Sequence, residues 1–147
     1  DGLPDPCFDQ PYDCFWFNPS PDWGTPSSAD GDPELERDDI DGAGPEIITM
    51  ANPEAKDYEI AVHFWAAHNY GDVAATIRVF VNGALVFEET EEPLTQHDLW
   101  KVGVLHWPTG TVTSSRLPGG AAVIAPDYRP SAFFGRRADG RGTTGEK

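Results

Sequence analysis

The stretch AATIRVFVNGALVFEE, residues 74–89, decides the fold of this chain. In an extended strand successive side chains point to opposite faces, so Ile77 and Val79 share one face of the first apolar run. Asn82-Gly83 separates this run from the second one. Asn-Gly in that position favours a type I′ turn, because both central residues of the turn take positive φ. The stretch therefore predicts a β-hairpin.

Short apolar runs on both sides of the hairpin predict further strands. The runs are EIITMA (46–51), DYEIAVHFWA (57–66), LWKVGVLHW (99–107), TVTSS (111–115) and AAVIA (121–125). Only ELERDD (34–39) favours as much as one turn of helix. About seven short strands separated by turn residues are typical of a sandwich or barrel. We predict an all-β, antiparallel β-sandwich.

Three regions of different composition divide the chain, whose 147 residues fit one domain. Residues 1–45 are rich in Asp, Pro and Gly, and we expect an irregular segment held by the aromatic residues of CFWF (14–17) and by Trp23. Residues 46–126 contain the predicted sandwich core. Residues 127–147 form a predicted extended basic tail.

The net charge of −15 argues against a nucleic-acid partner, because phosphate binding needs clustered Lys and Arg. The charge is uneven: residues 1–60 hold 16 acidic residues against two basic ones, whereas residues 101–147 hold three against seven. Opposite charges at the two ends predict that the basic tail docks on another copy of the chain, and docking on its own domain is the alternative. No apolar run reaches the roughly 18 residues that a membrane span needs.

Cys7 and Cys14 are the two cysteines, and a proline lies between them. Two cysteines are too few for a four-ligand zinc site. A local disulfide is the favoured interpretation, which implies an oxidising compartment and hence a secreted or cell-surface protein. Two buried thiols are the alternative.

The segment DGDPELERDDIDGAGPE, residues 30–46, is crowded with carboxylates that repel one another unless a cation lies among them. Calcium takes six to eight oxygen ligands and suits such a segment. The pattern is not an EF-hand, because Arg37 stands at the first ligand position and the closing Glu is missing. The predicted calcium ligands are Asp30, Asp32, Asp38, Asp39, Asp41 and Glu46. A solvated acidic loop is the alternative.

Three tryptophans on or beside strands offer a second kind of site. If exposed, Trp65, Trp100 and Trp107 could stack on sugar rings, although tryptophans in strands more often pack in a core. The four histidines belong to no recognised catalytic motif, since neither a G-x-S-x-G elbow nor an H-E-x-x-H helix is present. We therefore predict no catalytic residue.

Several stretches together give the chain a family resemblance. They are NPSPDWG (18–24), DDIDGAGPEII (38–48), YEIAVHFWAAHNYGDVAATIRVFVNGALVFE (58–88), LWKVGVLHWPTG (99–110) and PDYRPSAFF (126–134). In this order they resemble the YfaP-like group of uncharacterised bacterial secreted β-sandwich domains. The resemblance implies an extracellular module with no established reaction, and it carries over no catalytic residue.

These observations predict a non-enzymatic, calcium-stabilised structural or adhesive module of an extracellular or cell-surface assembly. Its expected partners are other copies of the chain or other domains of the same assembly. A carbohydrate-binding module of a secreted protein is the alternative function, and a hydrolase is a more distant one.

Overall fold

The computed structural model describes residues 7–8, 12–38 and 44–129. Within these ranges the chain is all-β, with eight strands and no helix. The strands are β1 (Pro33–Arg37), β2 (Ile47–Met50), β3 (Asp57–His63), β4 (Val73–Val81), β5 (Ala84–Leu94), β6 (Leu99–His106), β7 (Thr111–Ser114) and β8 (Val123–Ala125). No helix there has the length and apolar composition that a membrane span requires.

The strands form three antiparallel sheets. Strand β6 lies at the centre of the largest sheet and pairs with β3 on one side. On its other side β6 pairs with β8 along its first half and with β7 along its second half. Strands β4 and β5 form a second sheet, and β1 and β2 form a third. The all-β, antiparallel prediction is confirmed at this level.

The hairpin of β4 and β5 confirms the prediction from Asn82-Gly83, whose φ angles are +50° and +80°. The second strand runs beyond the predicted apolar run and includes Glu89 and Glu91. Both carboxylates form ion pairs with the guanidinium of Arg116, and Glu89 also accepts a hydrogen bond from Ser114 Oγ. This neutralisation lets an acidic sequence continue the strand.

The large sheet and the hairpin both contribute residues to the core. Its buried residues are Leu94, Trp100, Val102 and Ala122, and Trp100 is fully buried. Partly buried side chains from both elements pack against them: Ile60, Val62, Phe64, Val73, Ala75, Ile77, Phe87 and Ile124. One apolar face of β3 thus packs towards the inner face of the hairpin, as the alternation in both strands predicts.

A β-bulge shapes the centre of the large sheet. Ile60 pairs with Gly103 and Ala61 pairs with Lys101, so Val102 is an extra residue on β6. Gly103 lies close to β7, where an added Cβ would overlap the Thr113 carbonyl oxygen and lie 3.1 Å from the Ser114 Cα. Only glycine allows β7 to pair with β6 at this distance.

The interpretation of residues 34–39 as a helical turn is wrong. Glu34, Leu35 and their neighbours form strand β1, which pairs with β2 in an antiparallel sheet. The Leu35 N–H donates to the Pro19 carbonyl at 2.8 Å and so ties this hairpin to the N-terminal segment. The predicted tail after residue 129 lies outside the described residues.

Candidate functional site

The candidate site lies on the face of β3 that points away from the core. Ile60, Val62 and Phe64 face the core, whereas His63 and Trp65 point the other way, as the alternation predicts. The rings of His63 and Trp65 are 5.8 Å apart. The His63 ring also lies 5.1 Å from that of Phe8, so the N-terminal segment covers this part of the strand.

The N-terminal segment is held against the sheet by two phenylalanines. Phe15 is buried, and its ring lies 5.1 Å from that of Phe8. A tight turn follows, because the backbone N–H groups of Phe15 and Asn18 each donate to the carbonyl of the other, at 3.2 and 2.9 Å. This turn places Trp16 and Phe17 at its tip. The prediction of aromatic anchors in CFWF is therefore confirmed for Phe15.

An exposed surface results, which we call the aromatic patch: Trp16, Phe17 and Trp65. Their exposed fractions are 42%, 53% and 36%. The ring of Trp16 lies 5.3 Å from each of the other two, with interplanar angles of 75° to Phe17 and 61° to Trp65. Edge-to-face contacts of this kind are a favoured arrangement of aromatic pairs, so the three rings support one another at the surface.

A clasp of hydrogen bonds around Tyr128 joins the N-terminal segment to the end of the described chain. The Tyr128 hydroxyl donates to the Cys7 carbonyl at 3.0 Å, and its own carbonyl accepts a hydrogen bond from His63 Nε2 at 3.0 Å. The Tyr128 N–H donates to the His97 carbonyl at 2.7 Å. Three segments far apart in sequence therefore meet at one tyrosine.

His97 completes the inner side of the site with an uncommon backbone conformation. Its φ is +73°, in the left-handed region that few non-glycine residues adopt. Its N–H donates to the Phe64 carbonyl at 2.6 Å, and the carboxylate of Asp98 accepts bonds from the Thr95 N–H and hydroxyl, both at 2.9 Å. The loop before β6 is thus locked beside the aromatic patch.

The electrostatics of the site keep both histidines neutral near pH 7. Burial lowers the pKa of His63, and the hydrogen bond to Tyr128 opposes this only in part. Burial also lowers the pKa of His97, and the charge of Arg129 lowers it further. The two imidazole rings lie 6.3 Å apart in a stacked arrangement. The two imidazoles therefore add no charge beside the aromatic patch.

The predicted calcium ligands are only partly described. Asp32 accepts a hydrogen bond from the Trp23 N–H at 2.6 Å, and Asp30 accepts one from the Asn52 amide at 2.7 Å, so both carboxylates shape local turns. Asp39 and Asp41 lie outside the described residues. The remaining two, Asp38 and Glu46, are exposed.

Within the described ranges, no three His, Cys, Asp or Glu side chains are placed to hold a metal ion. Because Asp39 and Asp41 lie outside these ranges, calcium binding stays a prediction.

The predicted disulfide is not present in the structure, where Cys7 and Cys14 are thiols. Each is held by different neighbours. The Cys7 carbonyl accepts the Tyr128 hydroxyl, whereas the Cys14 thiol is directed to the Pro19 carbonyl at 3.4 Å. Burial raises the pKa of the Cys14 thiol, which favours its protonated form.

The three tryptophans predicted to stack on a ligand have different positions. Trp100 is fully buried in the core, so its assignment to a stacking site is wrong. Trp107 is half-buried after β6. Only Trp65 lies in an exposed aromatic group, together with Trp16 and Phe17, which the sequence singled out as anchors but not as ligand contacts.

Comparison of the chain with models of known protein families, with curated proteins and with solved structures finds no match. The resemblance to YfaP-like domains therefore stays a hypothesis that rests on the quoted stretches.

Proposed function

We propose that this domain is a non-enzymatic adhesive module of an extracellular or cell-surface assembly, and that it makes contact through the aromatic patch. The observation that carries the proposal is the cluster of Trp16, Phe17 and Trp65, three exposed rings of which Trp16 contacts the other two. Tryptophan is over-represented among the residues that dominate binding energy in protein interfaces. The resemblance to secreted YfaP-like domains supports the extracellular setting.

The support beneath the patch favours a binding role over a purely structural one. Phe15 anchors the turn from below, and the Tyr128 clasp fixes the ends of the segment that carries it. Rings held in place before binding lose little conformational freedom when a partner arrives, which favours affinity. A core tryptophan such as Trp100 gains its energy by burial, whereas Trp16 and Trp65 leave apolar area available to a partner.

Two finer features belong to the same proposal. The hairpin of β4 and β5 and the large sheet act as the two layers of a sandwich, an interpretation supported by the apolar core between them. Calcium stabilises the acidic segment between β1 and β2, where Asp39 and Asp41 lie in the part of the sequence with the most closely spaced carboxylates.

Carbohydrate binding is a second candidate, favoured by the two exposed indoles. Trp16 and Trp65 meet at 61°, which forms an aromatic corner rather than a flat platform. The apolar C–H face of a sugar ring could pack on one indole while the other indole bounds its edge. Because the histidines next to the corner are neutral, a neutral glycan would not lie against a charged imidazole.

The test uses beads coated with the domain and two probe surfaces, one carrying an array of glycans and one carrying the domain itself. Trp16→Ala and Trp65→Ala should each weaken attachment to at least one surface about 30-fold, the effect of losing about 2 kcal/mol at an interface hot spot. Leu117→Ala is the matched control, because Leu117 is exposed in a turn and lies outside the patch.

Attachment to glycans that depends on the patch would favour the carbohydrate candidate. Equal attachment of all variants to both surfaces would refute the role of the patch.

A further inference from the structure

In the part of the chain that the structure describes, strand β4 has one unpaired edge, because it pairs with β5 and with no other strand. Exposed strand edges invite pairing with another chain, and proteins usually protect them with charged residues or proline. The nine residues of β4 include one charged residue, Arg78, and no proline. By contrast, β5 contains four glutamates and Pro93, and the edge strand β3 carries Asp57 and Glu59.

The outward face of β4 is self-complementary. Its exposed residues alternate with half-buried ones, and with the preceding loop they are Asp72, Ala74, Thr76, Arg78 and Phe80. When two copies of β4 run antiparallel with Ala75 opposite Ala75, each Asp72 lies opposite Arg78 of the second copy. Each Ala74 then lies opposite Thr76. Two opposite-charge pairs and two small-residue pairs thus arise by symmetry.

Aromatic residues flank this arrangement at both ends. Tyr70 precedes β4 and is 84% exposed, and Phe80 is 58% exposed near the hairpin tip. Gly71 has a φ of +86°, so Tyr70 lies outside the extended register of β4, but the same alignment brings Phe80 of one copy to the end of β4 that Tyr70 precedes in the other. Contact between these rings at each end would remove exposed aromatic area from water.

We propose that β4 pairs with β4 of a second copy of this chain, so that the two hairpins form one four-stranded antiparallel sheet across a two-fold axis. A shift that places Ile77 at the centre would set Arg78 opposite Thr76 and leave Asp72 without a basic partner. The charges therefore select the register centred on Ala75. This interface is separate from the aromatic patch and does not depend on the proposed function.

The first test exchanges charges while it keeps the pair inside each chain. Arg78 Nε lies 2.5 Å from Glu88 Oε2, so R78E/E88R retains this ion pair with reversed sign. In a dimer of the double variant, each Asp72 faces a second carboxylate instead of the guanidinium of Arg78. The dissociation constant of the dimer, measured by sedimentation equilibrium, should therefore rise at least about tenfold. Adding D72R restores the opposite charges and should restore the dimer.

Three results would overturn the proposal: a monomeric intact chain across the concentration range, a double variant that dimerises as well as the intact chain, or a triple variant that does not recover. Failure of the patch variants in the bead assay would leave these measurements unaffected, so the two proposals fail separately.

The second test reads the register directly, in chains that carry C7S/C14S. Residues directly opposite in antiparallel strands have Cβ atoms about 4.5–5.5 Å apart, close enough for a disulfide after small adjustments. Mixed A74C and T76C chains should oxidise to a covalent dimer that contains one of each, whereas each variant alone should cross-link poorly. Equal cross-linking of A74C alone would refute the register centred on Ala75.

Discussion

Replacing Phe15 with alanine is expected to release the N-terminal segment while the sheets stay folded. Phe15 is buried, and its ring packs against Phe8 at 5.1 Å and Trp16 at 6.4 Å. Truncation of a buried phenylalanine costs about 3–5 kcal/mol. The smaller value applies here, because the segment lies at the edge of the fold and can relax into the space. A loss of about 3 kcal/mol raises the open population of the segment roughly 100-fold.

Amide hydrogen exchange measures this release residue by residue. The N–H groups of Phe15 and Asn18 are bonded across the turn, so their protection should fall by about two orders of magnitude in the variant. Protection of the central strand β6 should change far less, because β6 belongs to the core. Phe17→Ala is the control, since this neighbour is exposed and its loss should cost about 0.5 kcal/mol or less.

Two outcomes would refute this reasoning. If β6 loses as much protection as the turn, the segment and the sheets unfold as one cooperative unit. If the turn keeps its protection, Phe15 is not its anchor.

Three further predictions address the sheet, the histidines and the acidic segment. Gly103→Ala should destabilise the domain by about 1–3 kcal/mol through overlap with the Thr113 carbonyl, and a thermal midpoint equal to that of the intact domain would contradict the clash. Burial lowers the pKa of His63 and His97 in the folded chain, whereas histidines in the unfolded chain keep a pKa of about 6.5. As the pH drops from 7 towards 5, the unfolded chain therefore binds more protons than the folded chain, and the free energy of unfolding should fall. Urea unfolding at both pH values tests this, and His63→Phe should flatten the dependence; a domain more stable at pH 5 would exclude it. Adding excess chelator to a verified calcium-loaded sample should lower the melting temperature, and an unchanged melting curve would count against the calcium site.

The hairpin and the alternation of β3 could be predicted because their causes are local. Asn82-Gly83 sets the turn through the φ angles of two residues, and alternation separates Val62 from His63 whatever lies beyond the strand. Strand β1 has no such local signal. Its glutamates favour a helical turn until pairing with β2 and the bond from Leu35 to Pro19 fix it as a strand.

The candidate site was predictable only in its parts. The sequence marks CFWF as an aromatic run, yet which rings are buried depends on contacts with β3 about 50 residues later. Phe15 lies below the turn, whereas Trp16 lies above it against Trp65. Alternation in the sequence directs Trp65 away from the core, whereas the burial of Trp100 depends on the elements that pack around β6. The position of Trp100 is therefore a property of tertiary packing.

The bond between Tyr128 and Cys7 has a mechanical consequence. The two residues are 121 positions apart in sequence, yet the hydroxyl and the carbonyl are 3.0 Å apart, so the chain enters and leaves the described domain at one place. Tension applied to the flanking chain would load this junction first and would reach the strands only after it parts. In an array of several such domains, the junctions would open one after another, and the array would lengthen before any strand separates from its sheet.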